Sequence, residues 1–190
     1  AITYGSNTII YLYDTTVNTT TAHVGFVGGD QISGGYGAHS EGDVTNALGT
    51  GSNAKGRSTI AYGMYSEAIG DGSSAIGIAS HSEGKSTMAI GEGSHAEGGS
   101  SSAIGYYSHA EGYNSTASGD YSHAEGQSTA SGIFSHAEGD TTIASGQYSH
   151  SQNKGTLASG DNSHAGGVGT ISYGIVSFAH GDNCESSGPL

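Results

Sequence analysis

A glycine column repeats every seven residues along most of this chain, and no other feature of the sequence restricts the possible folds as strongly. Counted back from Gly181, the column reaches Gly42 in steps of seven. Asn153 is the one position in the column that is not glycine. One step is shortened from seven residues to six, at Gln127–Gly132. Ala or Ser always stands two residues before the column, and Ser or Thr stands two residues before that, except at Ala38. This regularity predicts a structural unit that stacks many times.

The composition by itself would indicate disorder, because Leu, Ile, Val and Phe make up only 27 of 190 residues and the net charge is −13. Three columns held in register argue against disorder. The 17 acids against 4 bases argue against a nucleic-acid partner, which would need clustered Lys and Arg. No span is apolar enough to insert into a membrane. P-loop, CxxC and GxSxG signatures are absent, so we expect no enzyme.

A small polar residue and a glycine at fixed offsets favour one short strand and one tight turn in each unit. Glycine would adopt a positive φ, and the Ser or Thr hydroxyl would bond nearby backbone. A helical coiled coil is excluded, because each of the 35 glycines would cost roughly 1 kcal/mol in a helix and no a/d apolar seam exists. Side chains alternate along a strand, so the small column faces inward. The sequence therefore predicts a thin β-roll or β-solenoid whose opposite walls nearly touch.

The residues that flank the small column alternate between two kinds of heptad, which together make one 14-residue coil. One kind carries His and Glu, as at His95 and Glu97. The other kind carries apolar residues, and we call these the apolar wall: Ile60, Ile76, Met88, Ile90, Ile104, Ile143, Leu157 and Ile171. A monomer would leave this wall in water over many coils. We therefore predict that the wall is the interface of a homotrimer.

Repeats such as Ser73-Ser74-Ala75-Ile76-Gly77 and Ser101-Ser102-Ala103-Ile104-Gly105 resemble the heads of trimeric autotransporter adhesins, over roughly residues 36 to 188. The resemblance implies an all-β fold, a left-handed parallel β-roll with 14-residue coils, assembled as an obligate homotrimer. The Ser-His-Ala-Glu-Gly variant is also similar to repeats in bacteriophage tail fibres and spikes. It begins at Ser94, Ser108, Ser122 and Ser135.

Residues 1–35 lack the three columns. They contain the strand-forming run from Ile9 to Tyr13, followed by a Thr-rich stretch. We predict that residues 1–35 form a β-rich cap or junction and that residues 36–188 form the β-roll repeat domain, with about 11 coils.

Several functions fit such a fibre. We favour a structural and receptor-binding segment of an extracellular trimeric fibre, a phage tail fibre or spike before a bacterial surface adhesin head. The partners would be two further copies of the chain and a glycan or protein of the host surface. The alternative from another class is the inert shaft of an enzyme-bearing or self-processing spike.

A column of aromatic residues stands two positions before the histidines of four consecutive coils. It consists of Tyr107, Tyr121, Phe134 and Tyr148, which precede His109, His123, His136 and His150. Two interpretations remain open: the rings stack for rigidity at a corner, or they form a recognition strip for a glycan or protein. We take these eight residues as the receptor-binding candidates.

The repeated His and Glu residues also raise the question of metal binding, since same-face ligands would restack about every 4.8 Å. A uniform ladder offers no one set of converging ligands, so we expect a solvated wall with neither metal nor cofactor. If the field of the Glu side chains dominates, the His pKa values lie above about 6.5. The protein would then be more stable near pH 6 than near pH 8.

The shortened heptad at Gln127–Gly132 lacks one residue. The strand columns are intact on both sides, so the missing residue belongs to a turn. We predict that the inward column of Ala124, Ala130 and Ala137 stays in line.

Overall fold

The computed structural model describes the backbone of three N-terminal strands and the whole of residues 31–188. The N-terminal strands β1 (Ile2–Tyr4), β2 (Asn7–Leu12) and β3 (His23–Val27) form an antiparallel sheet with β2 in the middle. Tyr13 and the Thr-rich run lie outside the described residues. The role of this sheet as a cap stays a prediction, as does the division of the chain near residue 36.

The other 21 strands form one sheet that winds as a parallel β-solenoid, and the described residues contain no helix. Eleven strands begin at the His position or its equivalent: β5 (His39–Asp43), β7 (Asn53–Arg57), β9 (Glu67–Asp71), β11 (His81–Lys85), β13 (His95–Gly99), β15 (His109–Gly112), β17 (His123–Ala130), β18 (His136–Ala144), β19 (His150–Lys154), β21 (His164–Val168) and β23 (Phe178–Asp182). Ten strands of two residues carry the other heptad: β4 (Ile32–Ser33), β6 (Asn46–Ala47), β8 (Ile60–Ala61), β10 (Ser74–Ala75), β12 (Met88–Ala89), β14 (Ser102–Ala103), β16 (Thr116–Ala117), β20 (Leu157–Ala158), β22 (Ile171–Ser172) and β24 (Glu185–Ser186).

Each strand pairs with the equivalent residues of the next coil; β17 and β18 carry both heptads, so their last residues pair with β16 and β20. In β13 and β15, His95 aligns with His109 and Ala96 with Ala110, so the paired residues are two heptads apart in the sequence. Because like residues stack on like residues, every column of the sequence becomes a row along the solenoid axis. The predicted parallel 14-residue coil is confirmed.

The interior of the solenoid is a double row of alanines. Ala96 and Ala110 from the longer strands are in one buried cluster with Ala89 and Ala103 from the two-residue strands, and all four are fully buried. Only the small side chains of Ala and Ser fit in this row between the two walls, so the predicted thin coil is confirmed. A core of such small side chains buries little apolar area per residue. The backbone hydrogen bonds between successive coils and the packing of the outer faces therefore have to supply much of the stability.

Buried hydroxyl groups satisfy the backbone of the turns. Ser108 Oγ donates to the carbonyl of Gly105 at 2.8 Å, and Ser94 Oγ donates to that of Gly91 at 2.7 Å. This confirms the predicted bond from the small polar column to nearby backbone. The residue two positions before each alanine is therefore an inward-facing part of the core.

The glycines of the column fall into two classes that differ in backbone conformation. Gly98 has the positive φ predicted for the column, +93°, and a Cβ there would also lie 2.1 Å from the carbonyl oxygen of Gly112 in the next coil. Gly105 has no positive φ; a Cβ there would lie 2.1 Å from the carbonyl oxygen of Gly119 in the next coil. Close approach of stacked turns, and not the backbone conformation, therefore requires glycine at the second class of position.

The shortened heptad lacks a corner residue. In the neighbouring coils a residue with positive φ links the two halves, Asn114 at 61° and Thr141 at 58°. Along β17 and β18 the pairing shifts after Gln127, which aligns with Asp140, so that Thr141 has no opposite residue. The alanine rows continue in line on both sides, as predicted. The missing corner leaves a hollow of about 270 Å³, lined by Asn114, Gln127, Ser128, Thr129, Thr141, Thr142 and Ile143.

Inserting Asn after Gln127 should be tolerated, because the new residue enters the hollow and adopts the corner conformation of Asn114. The melting temperature, followed by circular dichroism, should stay within about 3 °C of the original, the shift that ~1 kcal/mol produces in a chain of this size. The matched control inserts Asn after Ala110, inside β15. There a slip of one residue turns each following side chain to the wrong face, and the fold should be lost. Equal damage from both insertions would show that the register assignment is wrong.

Candidate functional site

Seven histidines stack in one row on the outside of the solenoid, and we call them the histidine ladder: His81, His95, His109, His123, His136, His150 and His164. Their ring centroids are 4.7–5.0 Å apart. From His95 to His150 the planes are within 3° of parallel, whereas the first and last pairs are edge-to-face at 78°. The predicted ladder therefore exists, and it is one continuous stack of imidazoles.

A row of carboxylates runs beside the ladder, since each Glu stands two residues after a His on the same strand face. We call it the glutamate column: Glu83, Glu97, Glu111, Glu125 and Glu138. His123 Nε2 lies 3.0 Å from Glu111 Oε1, and His150 Nε2 lies 3.5 Å from Glu138 Oε1. Both of these contacts cross from one coil to the previous one, so the ladder and the column bridge successive coils.

The stacking buries some ring nitrogens without giving them a partner. The Nε2 atoms of His95, His109, His136 and His150 are inaccessible to solvent and form no hydrogen bond. Nε2 of His150 keeps its 3.5 Å contact with Glu138, and Nε2 of His95 and of His109 lie 3.8 Å and 4.0 Å from Glu97. These contacts do not replace the lost hydrogen bond to water. The row is thus less uniform than its sequence, because His81 and His123 have carboxylate partners within hydrogen-bond distance.

Burial lowers the pKa of four ladder histidines. For His95 the next cause is the charge of protonated His81, and for His109 it is that of His123; the nearby carboxylates act in the opposite direction but do not outweigh these effects. The pKa values of His136 and His164 are lowered in the same way, by burial first and neighbouring histidines second. The expectation that the Glu side chains dominate and raise the His pKa values is wrong for these four residues.

The carboxylates also influence one another. Partial burial raises the pKa of Glu97, and hydrogen bonding with Glu111 and Glu83 raises it further. Burial acts on Glu111 in the same direction, but the hydrogen bonds with His123 and Glu97 outweigh it and lower the pKa of Glu111. Glu97 therefore takes up a proton before Glu111 as the pH falls.

The pH dependence of stability should consequently have the opposite sign from that expected from the sequence. Above about pH 6.5, the ordinary His value, the four histidines are neutral in both states. As the pH falls below that value toward the lowered folded values, the unfolded chain binds protons that the folded ladder does not, so stability falls. The melting temperature should be lower at pH 5.5 than at pH 8, in low salt with a chelator present.

The control for this measurement carries His95→Gln, His109→Gln and His136→Gln. It keeps the carboxylates and the other histidines, His164 among them, so a residual slope in this variant comes from those groups. The difference between pH 8 and pH 5.5 should be smaller than in the original protein. A higher melting temperature at pH 5.5, or an unchanged slope in the variant, would contradict the assigned pKa directions.

The four aromatic candidates form a second stack beside the histidine ladder, and we call it the aromatic ladder: Tyr107, Tyr121, Phe134 and Tyr148. Their centroids are 4.8–5.8 Å apart and their planes within 11° of parallel. Each has φ between 50° and 58°, and each side chain remains 47–56% exposed. The rings therefore stack on one another at the turn, as the corner interpretation expects, and still present their edges to solvent.

The apolar wall lies on the two-residue strands, on the end of β18, where Ile143 stands, and on the residues that follow these strands. Ile60, Ile76, Met88, Ile104 and Ile143 are 37–42% exposed in the single chain, and the other three members are half-buried. Two coils interrupt the wall with Thr116, Ser118, Thr129 and Ser131. The wall therefore consists of two apolar blocks on either side of a polar band, which the sequence analysis did not separate.

A family model for the YadA head domain repeat matches this chain at residues 47–66, 68–94, 82–108, 96–122, 110–129 and 126–149. These ranges cover more than half of the chain. The chain belongs to the YadA head family. No curated protein matches it.

YadA head repeats imply an adhesin-like fibre that is exposed at a surface outside the cell, and the family is structural, not enzymatic. The resemblance found in the sequence is therefore confirmed at the level of the family. No helix in the described part of the chain has the length and apolar character needed to cross a membrane.

One apolar row of this YadA-type head was missed in the sequence. Each member stands directly before a turn residue with positive φ, and all are 42–64% exposed: Met64, Ile78, Tyr106, Ile133 and Ile175. In chain order the row lies between the apolar wall and the aromatic ladder, as Tyr106 does between Ile104 and Tyr107. The row was detectable as a column that repeats every two heptads with one shortened step. It was hidden because polar residues occupy the other places of the column: Glu92, Asp120, Gln147 and Asp161.

Proposed function

We propose that this chain is a structural and receptor-binding segment of an extracellular trimeric fibre, a left-handed β-roll of the kind found in phage tail fibres and spikes. The observation that carries the receptor-binding part is the aromatic ladder. Four aromatic side chains are held in consecutive turns in a conformation that side chains rarely adopt, and they stay half exposed. A fold that needed only stability would gain more by covering them.

The trimer rests on the apolar wall. The alanine core is too thin to cover Ile76, Ile104 or Ile143, each 40–42% exposed on an acidic solenoid. Three copies around one axis bury the walls against each other and leave the histidine ladder and the turns at the outside. Closed symmetry of this kind is the usual outcome when identical chains bury a shared patch. It also gives the fibre three copies of every surface row.

The receptor would be a glycan or protein of the host surface, bound along the aromatic ladder and the adjacent histidines His109, His123, His136 and His150. Ring edges and Tyr hydroxyls next to imidazoles provide apolar contact together with donors and acceptors. Repetition of the pair in each coil suits an extended ligand such as a polysaccharide, since equivalent contacts recur about every 4.8 Å. Three strips on one trimer would add avidity.

A bacterial surface adhesin head is the second candidate, supported by the family match over residues 47–149. The phage fibre is favoured by the Ser-His-Ala-Glu-Gly form of the repeat in the ladder coils. The two candidates differ in the target surface. A phage fibre binds the envelope of bacteria, whereas an adhesin head binds animal cells or their extracellular matrix.

The test uses fluorescent protein on a panel of bacterial strains and on cultured animal cells. The ladder variant combines Tyr107→Asn, Tyr121→Asn, Phe134→Asn and Tyr148→Asn, because Asn162 already occupies this column with φ of 56°. The control is Tyr65→Asn, at the same kind of turn (φ 58°) but with Ala79 as its neighbour in the column. Binding should drop at least tenfold in the ladder variant and remain in the control. Undiminished binding by a folded ladder variant would refute the assignment of the strip, and binding to animal cells alone would favour the adhesin.

A further inference from the structure

Three sets of side chains on the outer wall each bring two imidazoles and one carboxylate together. They are His81, Glu83 and His95; His109, Glu111 and His123; and His123, Glu125 and His136, and in each set the three ligand atoms lie within 4.8 Å of one another. Two His and one Glu form a donor set that zinc uses in proteins. His150 and His164 belong to none of these sets, because Gln152 and Gly166 stand where the earlier coils have Glu.

The free ring nitrogens supply an independent argument. Nε2 of His95, His109 and His136, one imidazole in each set, is buried and has no hydrogen-bond partner. Such an atom is costly in a folded protein unless something accepts or donates at it. A cation bound at the wall would satisfy its unshared electron pair. The carboxylates next to it would neutralise the added charge.

His81 is held in the orientation that a metal ligand requires. Its Nδ1 lies 3.3 Å from Glu67 Oε2, and its Nε2 lies 3.4 Å from Glu83 Oε2. A carboxylate at Nδ1 fixes the tautomer, so that Nε2 carries the unshared electron pair and becomes a stronger metal ligand. This arrangement is typical of zinc-binding histidines. This contact also explains why the ring of His81 is turned by 78° out of the stack.

We propose that the outer wall binds a divalent transition-metal ion such as Zn²⁺ at two places in each chain. One site is formed by His81, Glu83 and His95. The second uses His123 with Glu111 and His109 or with Glu125 and His136; the two sets share His123, whose Nε2 serves one ion at a time. Water completes the coordination.

Only small movements are needed. Ligand atoms around a tetrahedral zinc are about 3.3 Å apart, as follows from Zn–N bonds of about 2.0–2.1 Å. The side chains of His81, Glu83 and His123 are 34–45% exposed, so rotation about their side-chain bonds closes each set without moving the backbone. Imidazole ligands select zinc, copper or nickel over calcium and magnesium, which prefer all-oxygen sites.

The proposal is tested by titrating the purified protein with Zn²⁺ at pH 7.5 in a calorimeter, with Ca²⁺ as the comparison. The original protein should bind two Zn²⁺ per chain, and Ca²⁺ should give no saturable heat. His123→Gln should bind one Zn²⁺, His81→Gln should bind one, and the double variant should bind none. The control His164→Gln removes a ladder imidazole outside the three sets and should still bind two.

The melting temperature gives a second readout. Zn²⁺ should raise it for the original protein and for His164→Gln, because an ion that binds only the folded state stabilises that state. It should leave the double variant unchanged, and the melting temperature in chelator verifies that each variant folds. Absence of saturable Zn²⁺ binding, or two or more ions retained in folded His123→Gln, would overturn the proposal.

Discussion

Ile90→Asp combined with Ile104→Asp should leave no folded monomer, only aggregated or unfolded chain. The two residues occupy the same row of adjacent coils, and in the proposed trimer each faces the corresponding residues of two other copies. A buried aliphatic side chain contributes about 1.5–3 kcal/mol, and a carboxylate in its place adds a penalty for burying charge. Six such changes per trimer exceed the roughly 5–15 kcal/mol by which proteins are ordinarily stable.

The control for this pair is Tyr113→Asp combined with Val168→Asp. It adds the same charge and also removes two exposed apolar side chains, 65% and 50% accessible, from corners outside the apolar wall. Light scattering should find the same assembly as in the original protein, and circular dichroism the same fold. A well-folded monomer from the Ile90 and Ile104 variant would show that the coil does not depend on trimer formation.

Gly105→Ala should be nearly as damaging, although it adds a single methyl group. The new Cβ would lie 2.1 Å from the carbonyl oxygen and 2.4 Å from the carbonyl carbon of Gly119. Both are backbone atoms of the next coil, and the ladder of hydrogen bonds fixes their distance. We expect a loss of more than about 4 kcal/mol, the range reserved for severe steric conflicts, measured as the free energy of unfolding in urea if the variant folds.

Gly155→Ala is the matched substitution. A Cβ at Gly155 meets only one backbone atom, the Gly169 nitrogen at 4.0 Å, and its φ of +60° costs Ala about 1–2 kcal/mol. Ala79 already adopts such a conformation, at 53°. The melting temperature of Gly155→Ala should fall by only a few degrees. A Gly105→Ala protein that unfolds at the same urea concentration as Gly155→Ala would mean that the turns are less closely stacked than described.

The periodic columns sufficed to predict the parallel 14-residue coil, because a row of stacked residues appears in the sequence as a strict repeat. The buried Ala96 and Ala110, the exterior His and Glu, and the missing corner near Gln127 all follow from side-chain alternation and turn chemistry. Local rules of this kind survive in the structure because each coil contacts chiefly the coils on either side.

Properties that depend on distances between coils were not predictable. The glycine at position 105 has the same pattern as Gly98, but it is required by the proximity of Gly119 and not by its φ. The lowered pKa of His109 arises from burial between stacked rings, whereas the sequence showed only that carboxylates were nearby. The His81 contact with Glu67, which distinguishes one ladder coil from the rest, depends on ring rotation.

In the fibre that we propose, three copies of this chain assemble, and sedimentation equilibrium of the unaltered protein measures that number. Over a range of concentrations from about 0.1 to 100 µM, we expect a single species of three chains, because an obligate assembly does not release folded monomer on dilution. The same samples should show the circular dichroism of a β-protein. A single folded chain, or a folded dimer, at any of these concentrations would show that the protein is not an obligate trimer.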